Sequence, residues 1–116
     1  MNSLVQVSPF VLAAIQAHRP GVALETTVVT PGPPFPEGVE AAARLEAEVV
    51  AAGAVPATVG VLEGRVRVGL SRAELEQLAT GPDTEKLNLS NLAAQVAAGR
   101  PGSTTVAATL AVAAWS

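Results

Sequence analysis

Residues 55–69 read VPATVGVLEGRVRVG, and this stretch decides the fold class. Val55 to Leu62 is apolar and rich in β-branched residues, which predicts a buried strand. Glu63-Gly64 then supplies a turn, and Arg65 to Gly69 is predicted to return as an antiparallel partner. The predicted sheet is therefore mixed rather than purely parallel.

Helices are predicted on both sides of this hairpin. A long helix is expected over Glu37 to Ala52, with Gly53 as its C-terminal stop. A capping box over Ser71 to Glu74 starts another helix, which runs to about Ala79. The buried stripe predicted for the long helix comprises Val39, Ala42, Ala43, Leu45, Val49 and Val50.

The remaining segments continue the alternation of helices and apolar strands. In chain order, we expect a helix over Phe10 to His18 started by Ser8-Pro9, a buried strand over Val22 to Val29, an ordered loop over Thr30 to Pro36, a helix from Asn88 to Ala98, and a buried helix over Ser103 to Ser116. This alternation predicts one layered α/β/α domain with a mixed sheet over residues 1–116.

The composition restricts the classes of partner. Hydrophobic residues make up 49% of the chain and charged residues only 15%, so little polar side chain is available for the surface. We therefore expect another subunit or domain to cover part of it, and we predict a homo-oligomer. A net charge of −3 and scattered cationic residues argue against nucleic-acid binding.

The sequence also points to a soluble protein of a reducing compartment. It has no cysteine, which fits the cytoplasm, and its N-terminus lacks the pattern of a secretion signal. Its most apolar stretch, Val106 to Trp115, is too short to span a bilayer, which takes about 20 residues. We expect no contact with a membrane.

Glu25 is the first candidate catalytic residue, because it interrupts an otherwise apolar predicted strand. A carboxylate is costly to bury without a partner, and burial raises a carboxyl pKa, as a general acid requires. Thr27 would lie on the same face of the strand. The alternatives are a solvated sheet edge and a structural hydrogen bond to a neighbouring loop.

Lys86 and the segment Gly102 to Val106 are candidates for binding an anion. Lys86 is the only lysine and is predicted to lie in a connection just before a helix start, where it could meet a phosphate. The segment around Thr104-Thr105 places hydroxyl residues between a glycine turn and a helix, where backbone amides bind anions. The alternatives are a solvated lysine and ordinary N-capping by the hydroxyls.

The sequence predicts no metal site within this chain. The single histidine, His18, and the single aspartate, Asp83, have no further ligand at a useful spacing. No dinucleotide or phosphate-binding glycine fingerprint is present either, and neither is a Ser-His-Asp or Cys-His set.

Taken together, the segments resemble the pseudouridine-5′-phosphate glycosidases, a family that includes indigoidine synthase A-like proteins. Four segments carry the resemblance, in the family's order and spacing: Val22 to Val29 followed by Gly32 and Pro34-Phe35-Pro36, then Gly53 to Thr58, Val68 to Ser71, and Gly102 to Thr109. Each is weak alone, but the ordered set is specific and extends over nearly the whole chain.

The resemblance implies a three-layer enzyme, often trimeric, that reversibly cleaves the C–C glycosidic bond of pseudouridine 5′-phosphate. It identifies Glu25 with the proton donor and Lys86 with a substrate-binding lysine. Val106 would line the substrate pocket after Thr104 and Thr105, which we include among the substrate-binding residues. A divalent metal, usually manganese, and a lysine that forms a Schiff base with the opened ribose are implied for the complete enzyme.

The sequence departs from the family pattern in three places. The loop that commonly reads Ser-His-Gly-Met-Pro is here residues 30–34, TPGPP, and a basic pair common after the substrate lysine is absent from residues 88–91, NLSN. The family's Schiff-base lysine and metal-binding aspartate are expected beyond Ser116. We therefore consider an incomplete glycosidase, and as the alternative a non-catalytic remnant that self-associates or binds a ribose phosphate.

Overall fold

The computed structural model describes residues 4–29 and 35–115, with the side chains up to 114. Within these ranges the chain forms six strands and five helices. In chain order they are β1 (Val5–Val7), α1 (Pro9–Gln16), β2 (Gly21–Leu24), α2 (Glu37–Ala51), β3 (Val55–Leu62), β4 (Arg65–Val68), α3 (Arg72–Thr80), β5 (Glu85–Leu87), α4 (Leu92–Ala97), β6 (Gly102–Thr104) and α5 (Val106–Trp115).

The strands form one mixed sheet in the order β1-β4-β3-β6-β5, with β2 pairing with β3 as well. The predicted hairpin is confirmed, because β3 and β4 are antiparallel and Val59 lies opposite Val68. Strand β1 is parallel to β4, β5 is parallel to β6, and β2 is parallel to β3. The long strand β3 pairs with β2, β4 and β6, and it therefore joins the two halves of the sheet.

The two faces of the sheet bury separate cores, which confirms the α/β/α layers. On one face Ala57, Val59 and Val61 of β3 pack with α1, α4 and α5. On the other face Leu62 packs with residues of α2 and α3. This division follows from the two-residue period of a strand, which sends successive side chains to opposite faces.

The predicted capping box of α3 is confirmed. The Glu74 N–H donates to Ser71 Oγ at 3.2 Å, and the Ser71 N–H donates to Glu74 Oε1 at 2.9 Å. These two bonds satisfy backbone donors that the first turn of a helix leaves unpaired.

The prediction of a strand over Val22 to Val29 is wrong in its second half, because β2 ends at Leu24. The chain turns at Thr26, whose carbonyl accepts a hydrogen bond from the Val29 N–H at 2.9 Å. The β-branched residues after Glu25 have a high strand propensity, but local turn formation overrides it here. The predicted loop over Thr30 to Pro36 lies outside the described residues, except for Phe35 and Pro36.

The structure corrects two further predictions, because both concern residues that lie in short strands. Lys86 lies within β5 rather than in a connection, and Ser103 and Thr104 lie in β6 rather than in the last helix. The physical reason is pairing at long range, since β6 pairs with Gly60 and Val61 of β3 and, on its other side, with β5. The helix predicted from Asn88 starts later, at Leu92.

The helices bury narrower faces than predicted. In α2, Leu45 and Val50 are 44% and 59% exposed, and in α5 Leu110 is 66% exposed, although Ala108 and Val112 are buried. The last helix is therefore half-exposed rather than buried. A helix that covers one face of a sheet needs only one apolar stripe, so its other apolar residues remain at the surface.

Candidate active site

The carboxyl ends of β2 and β6 meet head-on beside β3. Leu24, the last residue of β2, pairs with Thr58, and Ser103 of β6 pairs with Gly60. The two chain segments are joined directly, because the Thr26 N–H donates to the Thr104 carbonyl at 3.1 Å. In open α/β sheets, ligands bind in the crevice at such strand ends, where the connections diverge.

A pocket of about 240 Å³ lies at this junction. It contains one charged side chain, the half-buried Glu25, between apolar walls from both helical layers. Its lining residues are Ala23, Leu24, Glu25, Leu45, Val106, Thr109 and Leu110. A single carboxyl group in an apolar pocket is suited to a proton-transfer role, because few competing polar groups surround it.

Three buried threonines are joined by hydrogen bonds at this junction, and two of them also bond to the Val59 carbonyl. Both Thr26 Oγ1 and Thr104 Oγ1 donate to the Val59 carbonyl, each at 2.8 Å. Thr109 Oγ1 donates to Thr104 Oγ1 at 2.8 Å, and the Thr104 N–H donates to Thr26 Oγ1 at 2.7 Å.

The position of Val59 explains why hydroxyls are needed here. Val59 lies between Thr58, the last residue paired with β2, and Gly60, the first paired with β6. At the gap between these two strands, the Val59 carbonyl accepts from two side-chain hydroxyls. A buried carbonyl without a hydrogen bond would be costly. The two threonine hydroxyls therefore stabilise β3 at the point where its pairing with β2 and with β6 ends.

The structure brings several of the predicted site residues to one place. Glu25 and Val106 both line the pocket, and Thr104 is fully buried beneath it. Thr105 joins β6 to α5: its N–H donates to the Leu87 carbonyl at 3.0 Å, and its Oγ1 accepts from the Ala108 N–H at 3.3 Å. The N-capping interpretation of this segment is thus confirmed for Thr105.

Lys86 lies apart from the residues that line the pocket. Its side chain is exposed on β5, opposite Ser103 of β6. The next residue, Leu87, pairs with Thr104, so β5 and β6 end side by side. The register therefore places Lys86 one residue before the end of β5, beside β6.

Several residues of the site were not predicted from the sequence, namely Ala23, Leu24, Thr26, Leu45, Thr109 and Leu110. The strand prediction singled out Thr27 instead of Thr26, because it assumed that the chain stays extended after Glu25. The repeated Thr-Thr pairs at 26–27 and 104–105 are a sequence signal for the buried network. No local signal indicated Leu45, since its helix was expected to bury it.

Among the residues that the structure describes, no three His, Cys, Asp or Glu side chains come together as a metal site would require. These residues therefore do not by themselves fit the manganese ion that the family resemblance implies. The described helices also include none that is both long and apolar enough to cross a membrane.

The chain is similar to several known proteins over nearly its whole length. The sequence profile of the family described as Indigoidine synthase A like protein matches residues 10–116. A pseudouridine-5′-phosphate glycosidase from Herpetosiphon aurantiacus is 50% identical over 113 residues, which are 97% of this chain and 37% of that protein. One from Jannaschia sp. is 50% identical over 107 residues, 92% of this chain and 35% of that protein.

Two solved structures are also similar. The prealnumycin C-glycosynthase AlnA, solved in complex with ribulose 5-phosphate, superimposes with a TM-score of 0.85 at 35% identity, over 99% of this chain and 37% of that one. An indigoidine synthase A-like protein from Thermotoga maritima gives a TM-score of 0.81 at 28% identity, over 95% of this chain and 35% of that one. The chain thus spans little more than a third of the length of these relatives, and it belongs to the indigoidine synthase A-like family.

Proposed function

We propose that this chain forms part of an enzyme that reversibly cleaves the C–C glycosidic bond of pseudouridine 5′-phosphate. The products are uracil and ribose 5-phosphate. The observation that carries the proposal is the pocket shared by Glu25 and Val106, which belong to distant segments of the sequence. The names of relatives at 50% identity support the same reaction.

Glu25 is the proposed general acid. Cleavage adds the elements of water, so that the ribose carbon gains a hydroxyl oxygen and the uracil carbon gains a proton. Glu25 delivers this proton to the uracil carbon as the C–C bond breaks. The half-buried position of Glu25 beside Leu24, Leu45 and Leu110 supports this role, because few polar side chains there compete for hydrogen bonds with its carboxyl group.

The segment Thr104 to Val106 and Lys86 are the proposed substrate-binding residues. Val106 lines the pocket, while Thr104 and Thr105 hold the backbone that leads into α5. The side chain of Lys86 is exposed beside the ends of β5 and β6, so its ammonium group is available to a sugar phosphate. Residues 88–91 lack the basic pair, so Lys86 is the only Lys or Arg among residues 73–99.

The complete reaction needs groups that this chain does not supply. Lys86 is the only lysine and is assigned to the substrate, so the Schiff-base lysine and the aspartate that binds manganese would come from additional polypeptide. When bound, manganese would supply a positive charge beside the substrate. The exposed Val106 and Leu110 of α5 are proposed to lie in a contact between subunits or domains of a cytoplasmic homo-oligomer.

Activity in a reconstituted enzyme tests this proposal. We would combine the chain with the remaining part of the Herpetosiphon aurantiacus relative and measure uracil released from pseudouridine 5′-phosphate. Glu25→Gln removes the transferable proton and should lower the turnover rate about 10²- to 10⁴-fold. The matched control is Glu48→Gln, because Glu48 is an exposed carboxylate on the polar side of α2.

Near wild-type turnover by the Glu25→Gln enzyme would remove Glu25 as the acid. An equal loss in Glu48→Gln would show that the effect comes from charge or stability rather than proton transfer. Turnover by the 116-residue chain alone would contradict the need for a second lysine.

A second candidate function is binding of a ribose phosphate without catalysis. The similarity to AlnA favours it, because that protein was solved with ribulose 5-phosphate. The pocket is formed within the described residues, by the end of β2 with Glu25, by α2 and by α5. Both candidate functions expect the chain to bind ribose 5-phosphate in this pocket, and they differ in turnover, which only the catalytic proposal expects once additional polypeptide is supplied.

A further inference from the structure

We infer that Thr26 and Thr104 are positioning residues: the Thr26 hydroxyl and the backbone of Thr104 lock the segment carrying Glu25 to the segment carrying Val106. The inference rests on the proposed function for the meaning of Glu25, but its geometry is independent of catalysis. Two reciprocal backbone-centred bonds make the lock. The Thr26 N–H donates to the Thr104 carbonyl at 3.1 Å, and the Thr104 N–H donates to Thr26 Oγ1 at 2.7 Å.

The hydroxyl protons of this lock all have acceptors. Those of Thr26 and Thr104 point to the Val59 carbonyl at 2.8 Å, and that of Thr109 points to Thr104 Oγ1 at 2.8 Å. The 3.4 Å separation between Thr26 Oγ1 and Thr104 Oγ1 is longer than each of these bonds. With every proton committed, the network fixes geometry and is not available to donate a proton to a substrate.

The lock acts directly on the two sides of the pocket. Thr26 follows Glu25 in the chain, and Thr104 is separated from Val106 by a single residue. Both threonines are fully buried, so neither bond competes with bulk water. Thr109 adds a connection from within α5, since it both lines the pocket and donates to Thr104.

The test compares isosteric variants of the 116-residue chain by NMR. Thr26→Val removes the hydroxyl oxygen that accepts from the Thr104 N–H, with little change of shape, and Thr26→Ser restores it. Thr84→Val is the matched control, because Thr84 is a half-buried threonine whose hydroxyl donates to the Leu78 carbonyl outside this network. The readouts are the backbone resonances of Val106, on the other side of the junction, and the hydrogen exchange of the Thr104 amide.

In Thr26→Val the Val106 resonances should move, and exchange of the Thr104 amide should accelerate by about one to two orders of magnitude, because the acceptor of that amide is gone. Thr26→Ser should return both towards wild type. Thr84→Val should lower global stability without moving Val106. If Thr26→Val does not fold, Thr104→Val removes only one donor to the Val59 carbonyl, and a smaller shift of Glu25 across the junction is expected.

Unchanged Val106 resonances and unchanged Thr104 amide exchange in Thr26→Val would overturn the inference, as would unchanged Glu25 resonances in Thr104→Val where Thr26→Val does not fold. An equal displacement of Val106 in Thr84→Val would do the same, because it would reduce the effect to general destabilisation. These readouts do not involve turnover. A confirmed lock in a chain whose reconstituted enzyme is inactive would therefore refute the proposed function and leave the lock standing.

Discussion

At the scale of single residues, the site depends on close approach of β5 and β6. Gly102 is buried, and a Cβ placed on it would lie 2.3 Å from Leu87 Cδ1 and 2.5 Å from Leu87 Cγ. Leu87 is itself fully buried and has little freedom to move away. A glycine is therefore required two residues before Thr104, where β6 passes between its neighbours.

Gly102→Ala should lower the free energy of unfolding by about 1–3 kcal/mol, because the added methyl group overpacks the Leu87 side chain. Urea denaturation of the variant and the wild type measures this difference. Gly21→Ala on β2 is the matched control, since its Cβ would meet nothing closer than the Val55 carbonyl oxygen at 3.7 Å. Similar unfolding midpoints for Gly102→Ala and wild type would contradict the packing described for this strand pair.

At the scale of secondary-structure elements, the end of α2 is set by backbone conformation. Gly53 follows the C-cap Ala52 with φ +88°, and no atom would lie within 4 Å of an added Cβ. Any cost of a side chain at this position therefore arises from the left-handed backbone alone.

Gly53→Ala should destabilise the chain by about 1 kcal/mol, because alanine is disfavoured in the left-handed region. Gly53→Asn should cost less, since asparagine tolerates this conformation better. Thermal or urea unfolding of the two variants gives the order. If alanine and asparagine were equally tolerated, steric strain at this helix end would be ruled out as the cause.

The elements also show which parts of the fold can be predicted from sequence. The β3–β4 hairpin, α2 and the capping box of α3 carry strong local signals and were predicted. Strands β1, β5 and β6 have three residues each, too few for a periodic pattern, and β6 reads Gly-Ser-Thr. They exist because of pairing with distant strands, which a local pattern does not contain.

The candidate site was predictable only in part, for the same reason. Glu25 stood out because a carboxylate in an apolar run is unusual, and the resemblance to a family gave Val106 and Lys86 their expected roles. The threonine network was not predicted, since it exists only where β2 and β6 meet beside Val59. Tertiary contacts of this kind have no signature within either segment alone.

At the scale of the whole molecule, apolar side chains remain at the surface of several elements. Phe10 and Ile15 of α1 are each 50% exposed, and Leu110 of α5 is 66% exposed. A separate groove of about 560 Å³ is lined mostly by apolar residues, among them Leu4 and Leu89. Only 15% of the residues are charged, so these apolar side chains form a large part of the exposed surface of α1 and α5.

The central claim is that the ends of β2 and β6 form a site for a sugar phosphate. An NMR titration of the ¹⁵N-labelled chain with ribose 5-phosphate tests it most directly. We predict saturable shifts of the Glu25, Thr105 and Val106 amides, with no change at Leu4 or Leu89 in the separate groove. Saturable shifts confined to that groove, or no saturable shift at Glu25, Thr105 and Val106, would contradict the account.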